Sequence, residues 1–215
     1  MRKIKFFFML SVMLCSLSIP ANALTWYEFE QYAKSGSLEK ISEVFIRENI
    51  AFNAAQEDGT TLLMIAAQYS SPEVVKYMID NKAEVNTKNN KGWNALMFAA
   101  RYNSNPEVTK ILLDSGANYV SWNNEGFTSL MLAVNGNADQ EIIEALIKAG
   151  SNVNAQNKGR SVLSMAVSGH SRENIITALI KAGADVNAKS IIPGYPCSYN
   201  GNIRKFKPRN HRSYN

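Results

Sequence analysis

Two histidines, two cysteines and one Gly-Arg-Ser triplet are the residues best suited by type to chemistry in this 215-residue chain. A histidine can shuttle protons or hold zinc near neutral pH, and a thiolate can attack a carbonyl or bind a metal. No pairing of His170, His211, Cys15 and Cys197 has the spacing of a zinc site. Gly159-Arg160-Ser161 lacks the flanks of a nucleophile elbow. No glycine-rich phosphate loop stands out, because the candidate glycines recur at a fixed interval. The inventory predicts a protein that is not an enzyme, with no catalytic residue, no metal, no cofactor and no small-molecule substrate.

The recurring glycines belong to a scaffold. Gly59, Gly92, Gly126 and Gly159 are each followed four residues on by Leu63, Leu96, Leu130 or Leu163, then by Ala66, Ala99, Ala133 or Ala166. Successive leucines lie 33, 34 and 33 residues apart. A fixed period of this size predicts a stacked-repeat solenoid. Each copy continues into a second apolar stripe, such as Val74, Val75, Met78 and Ile79, or Ile142, Ile143, Leu146 and Ile147. That spacing lines one face of a helix, not of a strand. Ser71-Pro72-Glu73 and Asn105-Pro106-Glu107 carry the cap, the first-turn proline and the acid of a helix start. Gly116, Gly150 and Gly183 stand where those helices stop.

These residues resemble the ankyrin repeat, with its D-x-x-G-x-T-P-L-H-x-A-A opening, a second helix ending L-L-x-x-G-A, and a D-V-N-A close. The resemblance covers about residues 56–189. It implies an all-α solenoid of paired antiparallel helices with β-turn or hairpin tips. Four units are expected at about 56–88, 89–122, 123–156 and 157–189. A degenerate first unit at about 24–55 carries Phe29, Ala33, Gly36, Ile41, Phe45, Ile46, Phe52 and Asn53 on the same frame, with Asn49 ending its helix. An altered first unit suits a solenoid, since one of its faces meets water.

Several positions depart from the family. Met64, Met97, Met131 and Ser164 replace its histidine, so the Thr–His bond is missing or replaced. Lys82 takes a glycine position, which costs roughly 1 kcal/mol or more. Tyr119-Val120-Ser121-Trp122 replaces the usual V-N-A, and the turn after Val153 is one residue short. The expected stack is less stable than an ideal array.

The ends differ from the body. Residues 1–23 read as a secretory signal: Arg2, Lys3 and Lys5, an apolar run from Phe6 to Ile19, and Ala21-Asn22-Ala23 for cleavage after Ala23. The run is shorter than the about 20 residues of a membrane span. The short basic start looks bacterial, which predicts a periplasmic or secreted protein. Cleavage leaves Cys197 alone, without an intrachain disulfide partner. Residues 190–215 hold Arg204, Lys205, Lys207, Arg209 and Arg212 and no acid, and their prolines and polar residues predict a basic, disordered tail. Residues 24–189 carry 15 basic and 18 acidic side chains, a net of −3. The overall +5 therefore makes no general case for nucleic acid.

The resemblance further implies a concave face lined by turn tips and first helices. Its variable positions here are Thr60, Trp93, Phe127 and Arg160 after the turn glycine, Gln68, Tyr69, Arg101 and Tyr102 after the Ala pair, and Lys88 and Trp122 before the turn. Trp93, Tyr102, Trp122 and Phe127 are expected together, flanked by Tyr69, Arg101 and Arg160. Aromatic and Arg side chains dominate interface energies. The expected function is an exported protein–protein interaction module, monomeric, with a protein partner. The two alternatives are a secreted effector acting on host proteins, and a membrane- or nucleic-acid-associated protein using the basic tail.

Overall fold

A computed structural model describes residues 21–169 and 172–188 of the chain. The N-terminal basic and apolar run, His170, Cys197, His211 and the basic C-terminal segment lie outside the described residues. Ten helices occur among those described: α1 (Ala21–Ser35), α2 (Leu38–Glu48), α3 (Leu62–Tyr69), α4 (Pro72–Asp80), α5 (Ala95–Tyr102), α6 (Pro106–Asp114), α7 (Ser129–Asn135), α8 (Gln140–Lys148), α9 (Val162–Ser168) and α10 (Glu173–Lys181). The two short strands β1 (Gln156–Asn157) and β2 (Arg160–Ser161) pair antiparallel. Helices pair within a unit through short turns. The odd-numbered helices stack on one another along an inner row, and the even-numbered helices along an outer row. This is the all-α repeat solenoid that the period predicts.

The periodic residues are the core. The four leucines and four alanines of the repeated motif are at most 2% exposed. Val74, Val75 and Met78 of α4, and Ile142, Ile143 and Leu146 of α8, are buried against the inner row. Val162, Leu163, Ile176 and Leu179 of the last unit are buried as well. In the first unit Phe29, Ala33, Ile41 and Phe45 enter the core, and Phe45 stacks on Phe52 at 4.4 Å. Ile46 departs from its expected frame and is 81% exposed. Among the described residues its helix α2 packs beside one outer helix only, so the far face has no neighbour.

Caps explain the helix boundaries. Thr61, Asn94, Thr128 and Ser161 each accept a hydrogen bond from the backbone N–H three residues on. Met64 Sδ reciprocates by accepting from the Thr61 N–H at 3.4 Å, so the family's Thr–His tie is replaced by a local one. Asn105 caps α6 through the Glu107 N–H, whereas Ser71 makes no side-chain cap bond at α4. Lys82 sits at φ 70°, in the left-handed region that the other units give to Gly116, Gly150 and Gly183. The short last turn changes type. Lys158 and Gly159 both have positive φ, as a two-residue hairpin of β1 and β2 requires. The other tips insert three residues, with only the glycine at positive φ, and close through bonds such as Asn89 N–H to Trp93 O.

Asparagines join neighbouring units. Asn53 Oδ1 accepts from the Glu84 N–H at 2.7 Å, and its Nδ2 donates to Lys82 O at 3.4 Å. Asn86 spans Asn118 N–H and Gly116 O in the same way, and Asn154 spans Asp185 N–H and Gly183 O. The equivalent residue between the third and fourth units is Val120, which cannot bridge Gly150 and Asn152 and is 56% exposed. Replacing Val120 by Asn restores the missing bridge and should stabilise the fold by about 1 kcal/mol. A raised urea midpoint with unchanged slope checks this, and an unmoved midpoint means that residue 120 does not reach the next turn. Lys82→Gly should add about 1 kcal/mol by relieving the left-handed lysine, and a lower melting temperature would contradict it.

Candidate binding surface

The inner row and the hairpin tips enclose a groove of about 410 Å³ across the second and third units. Helices α3 and α5 supply Ile65, Gln68, Tyr69, Phe98 and Tyr102, which lie on the same faces by i+4 spacing. The tips supply Asp58, Thr60, Lys91, Trp93 and Glu125. The tips are held in place by one another. Asn90 N–H donates to Asp58 O at 2.8 Å, and Asn124 N–H donates to Lys91 O at 3.0 Å. Asn89 Oδ1 accepts from the N–H groups of Lys91 and Trp93, each at 3.0 Å, which fixes the turn that carries the indole.

The aromatic wall is a three-ring cluster. Trp93 stacks on Tyr102 with centroids 5.9 Å apart and planes 18° apart. Phe98 touches both, at 5.1 Å from Trp93 and 6.3 Å from Tyr102. Tyr102 remains 52% exposed and Tyr69 39% exposed, so both still offer apolar surface. Phe98 was not among the residues singled out from sequence, although its place four residues before Tyr102 on α5 could have found it. Asp58 and Glu125 were missed for a different reason, because acids on a turn tip read as ordinary solvated residues.

Of the ten residues singled out, Thr60, Gln68, Tyr69, Trp93 and Tyr102 line the groove. Thr60 also braces the tip, donating to Asp58 and accepting from Asn89 Nδ2. Among the described residues no ring contact joins Trp122 or Phe127 to Trp93 and Tyr102. Phe127, one unit on from Trp93, is half-buried against the core. Trp122 is 44% exposed on the next tip, and Lys88 Nζ donates to its carbonyl at 3.0 Å.

Neither expected arginine projects freely. Arg160 donates to Ser168 Oγ at 2.8 Å within its own unit. Arg101 lies across Gly136, where a Cβ would come within 3.2 Å of its Nη1 and 2.7 Å of its carbonyl oxygen. Its guanidinium also lies 5.8 Å from the Tyr102 centroid. Glycine at 136 makes this possible, for Gly136 and then Gly169 occupy the place that Tyr69 and Tyr102 hold in the second and third units. At the opposite end of the groove, Lys34 sits 4.9 Å over the Tyr69 ring and 2.6 Å from Glu30. The hydrogen bond that Lys34 donates to the Glu30 carboxylate holds its ammonium pKa above the ordinary lysine value.

A second, larger groove of about 1080 Å³ lies on the outer side between the third and fourth units, beside Tyr119, Val120, Lys110 and Glu144. Among the described residues no helix is long and apolar enough to cross a membrane.

The family model for ankyrin repeats in three copies matches residues 29–123 and again residues 120–190. A curated relative, the transient receptor potential cation channel subfamily A member 1 homolog of Caenorhabditis elegans, is 32% identical over 71 residues. That match spans 33% of this chain and 6% of the channel homolog, a small part of the relative's length. With the Gly-Leu-Ala period, the paired helices and a family match over most of its length, the chain belongs to the ankyrin-repeat family.

Proposed function

We propose that this protein is an exported, non-enzymatic module that holds a protein partner on its inner face. Ankyrin-repeat proteins are typically protein–protein interaction modules, and that family membership supports the general role. The observation that carries the assignment to this face is the exposed Tyr102, stacked on Trp93 in a groove whose walls are cross-tied between units. Exposed aromatic clusters of this kind mark interaction sites on otherwise polar surfaces. Trp122 on the neighbouring tip extends the surface beyond the groove. Such a face is already in its bound shape, so recognition needs little rearrangement.

Export rests on the residues of the N-terminal segment. Its three early cations, short apolar run and small residues at 21–23 are those of a cleavable signal. N-terminal sequencing of the protein recovered outside the cytoplasm should begin at Leu24. Recovery only in the cytoplasm with the first 23 residues intact would refute export.

The binding role is tested by capture. The full-length chain, immobilised and exposed to native envelope and secreted extracts, should retain a partner that a Tyr102→Ala/Trp122→Ala bait does not. Loss of two exposed aromatic anchors should cost about 2 kcal/mol or more, roughly thirtyfold in affinity. The helical circular dichroism of the double variant should be unchanged, since both side chains are exposed. Equal retention on the two baits would move the site elsewhere on the solenoid.

A further inference from the structure

The groove between the second and third units pairs aromatic rings with uncompensated carboxylates. Asp58 and Glu125 both line it, and neither has a cationic side chain within 4.0 Å among the described residues. Asp58 spends its oxygens on Thr60 of its own turn, which orients the carboxylate without neutralising it. The nearby cations are mostly engaged. Lys34 is paired with Glu30, Lys88 donates to the Trp122 carbonyl, and Arg101 lies over Gly136. Lys91 is the one lysine in the lining, against the two carboxylates there that make no ion pair, Asp58 and Glu125, Glu30 being paired with Lys34.

The chain shows on a small scale what this surface attracts. The Lys34 ammonium sits between a carboxylate, Glu30 at 2.6 Å, and a ring face, Tyr69 at 4.9 Å. A ring quadrupole and a carboxylate pull a cation in the same direction. Trp93 and Tyr102, with Asp58 and Glu125 on the rim, repeat that chemistry further along the groove, where the lining's Lys91 makes no ion pair with either carboxylate among the described residues.

We propose that this groove takes a cationic segment of the partner protein, seating a Lys or Arg side chain against Trp93 and Tyr102 with its charge facing Asp58 and Glu125. The assignment rests on the inner-face reading above and adds the chemistry of the partner. Charge complementarity selects this occupant, because an acidic segment would bring like charge to the rim at a cost.

The test titrates the full-length chain with a blocked heptapeptide of alternating Gly and Arg, beside its Glu and Gln counterparts, following tryptophan fluorescence and heat. The Arg peptide should bind, the Glu peptide should not, and added salt should weaken the Arg complex. Asp58→Asn with Glu125→Gln keeps the turn geometry and should weaken binding about tenfold, and Trp93→Phe should lower it about threefold. Equal binding of the Gln and Arg peptides, or no effect of the carboxylate pair, overturns the cationic assignment. Tighter Arg-peptide binding after Arg204, Lys205 and Lys207 are changed to Ala keeps the cationic chemistry but overturns the partner protein as its source, because the chain's own basic segment then competes for the groove. The two readings separate cleanly. A captured partner that needs Tyr102 and Trp122 but ignores both salt and the carboxylate pair keeps the binding module and sinks its cationic partner. Arg-peptide binding with no loss of capture in the Tyr102→Ala/Trp122→Ala bait does the reverse.

Discussion

One carboxamide between successive turns, present at three of the four joints, is the interaction on which the rest of the stack depends. The outer helices stop at left-handed residues, and the backbone beyond each stop turns away with its N–H and C=O groups toward the next unit. Buried or half-buried backbone groups need partners. Asn53, Asn86 and Asn154 supply both halves of the pair at once, an acceptor for the N–H and a donor for the C=O. A second row at the tips, Asn90, Asn124 and Asn157, donates from Nδ2 to a carbonyl of the preceding unit. At the inner turns, Ser70 reaches Ala33 O, and Asn103 reaches Ala67 O and Ser70 O. In a stack where each unit touches only its neighbours, stability is nearly a sum of such joints.

The joints are unequal. Between the second and third units all three rows are present, at Asn86, Asn90 and Asn103. Between the third and fourth units Val120 removes the outer bridge, and α7 ends early at Gly136, leaving Asn137 in the left-handed region where Asn103 stood one unit before. Only the tip row, through Asn124, survives there. Buried polar atoms without a partner gather on either side of this joint: Arg101 Nη1, Thr109 Oγ1, Asn123 Nδ2, Ser129 Oγ and Ser151 Oγ. Thr109 occupies a place that Val75, Ile143 and Ile176 fill with hydrocarbon elsewhere. Unpaired buried groups and a missing bridge both weaken the same seam.

Much of this was readable from residues alone, because period and cap are local properties. The 33-residue spacing, the cap at Asn105 and the left-handed Lys82 needed no tertiary information, although Ser71, read by the same signal, makes no side-chain cap bond. Ile46 was misjudged because its face depends on what lies beyond α2, which no local pattern records. The four aromatics do not form a single ring cluster, because Phe127 packs half-buried against the core and Trp122 stands exposed on the next tip. Trp93 and Tyr102 meet because they belong to one unit, on its tip and on its inner helix. Arg101 shows the complementary error: its type marks an interface residue, but the glycine at 136 gives its side chain somewhere else to lie.

The placement of the groove then follows from the placement of the ties. Binding costs ordering of any side chain or loop that is loose beforehand. The aromatic groove sits across the joint where outer, tip and inner rows are all intact, so its walls are fixed relative to one another before a partner arrives. The poorly tied seam lies one unit further along, and of the lining only Glu125 stands beyond it, on a tip still tied through Asn124. Its weakness does not loosen the walls that hold Trp93 and Tyr102. Tyrosine gives way to glycine at positions 136 and 169 on the same side of that seam, so the aromatic surface ends where the cross-ties thin out. A rigid aromatic half joined to a less constrained half is the arrangement this sequence builds, and it places recognition on the half that pays least for it.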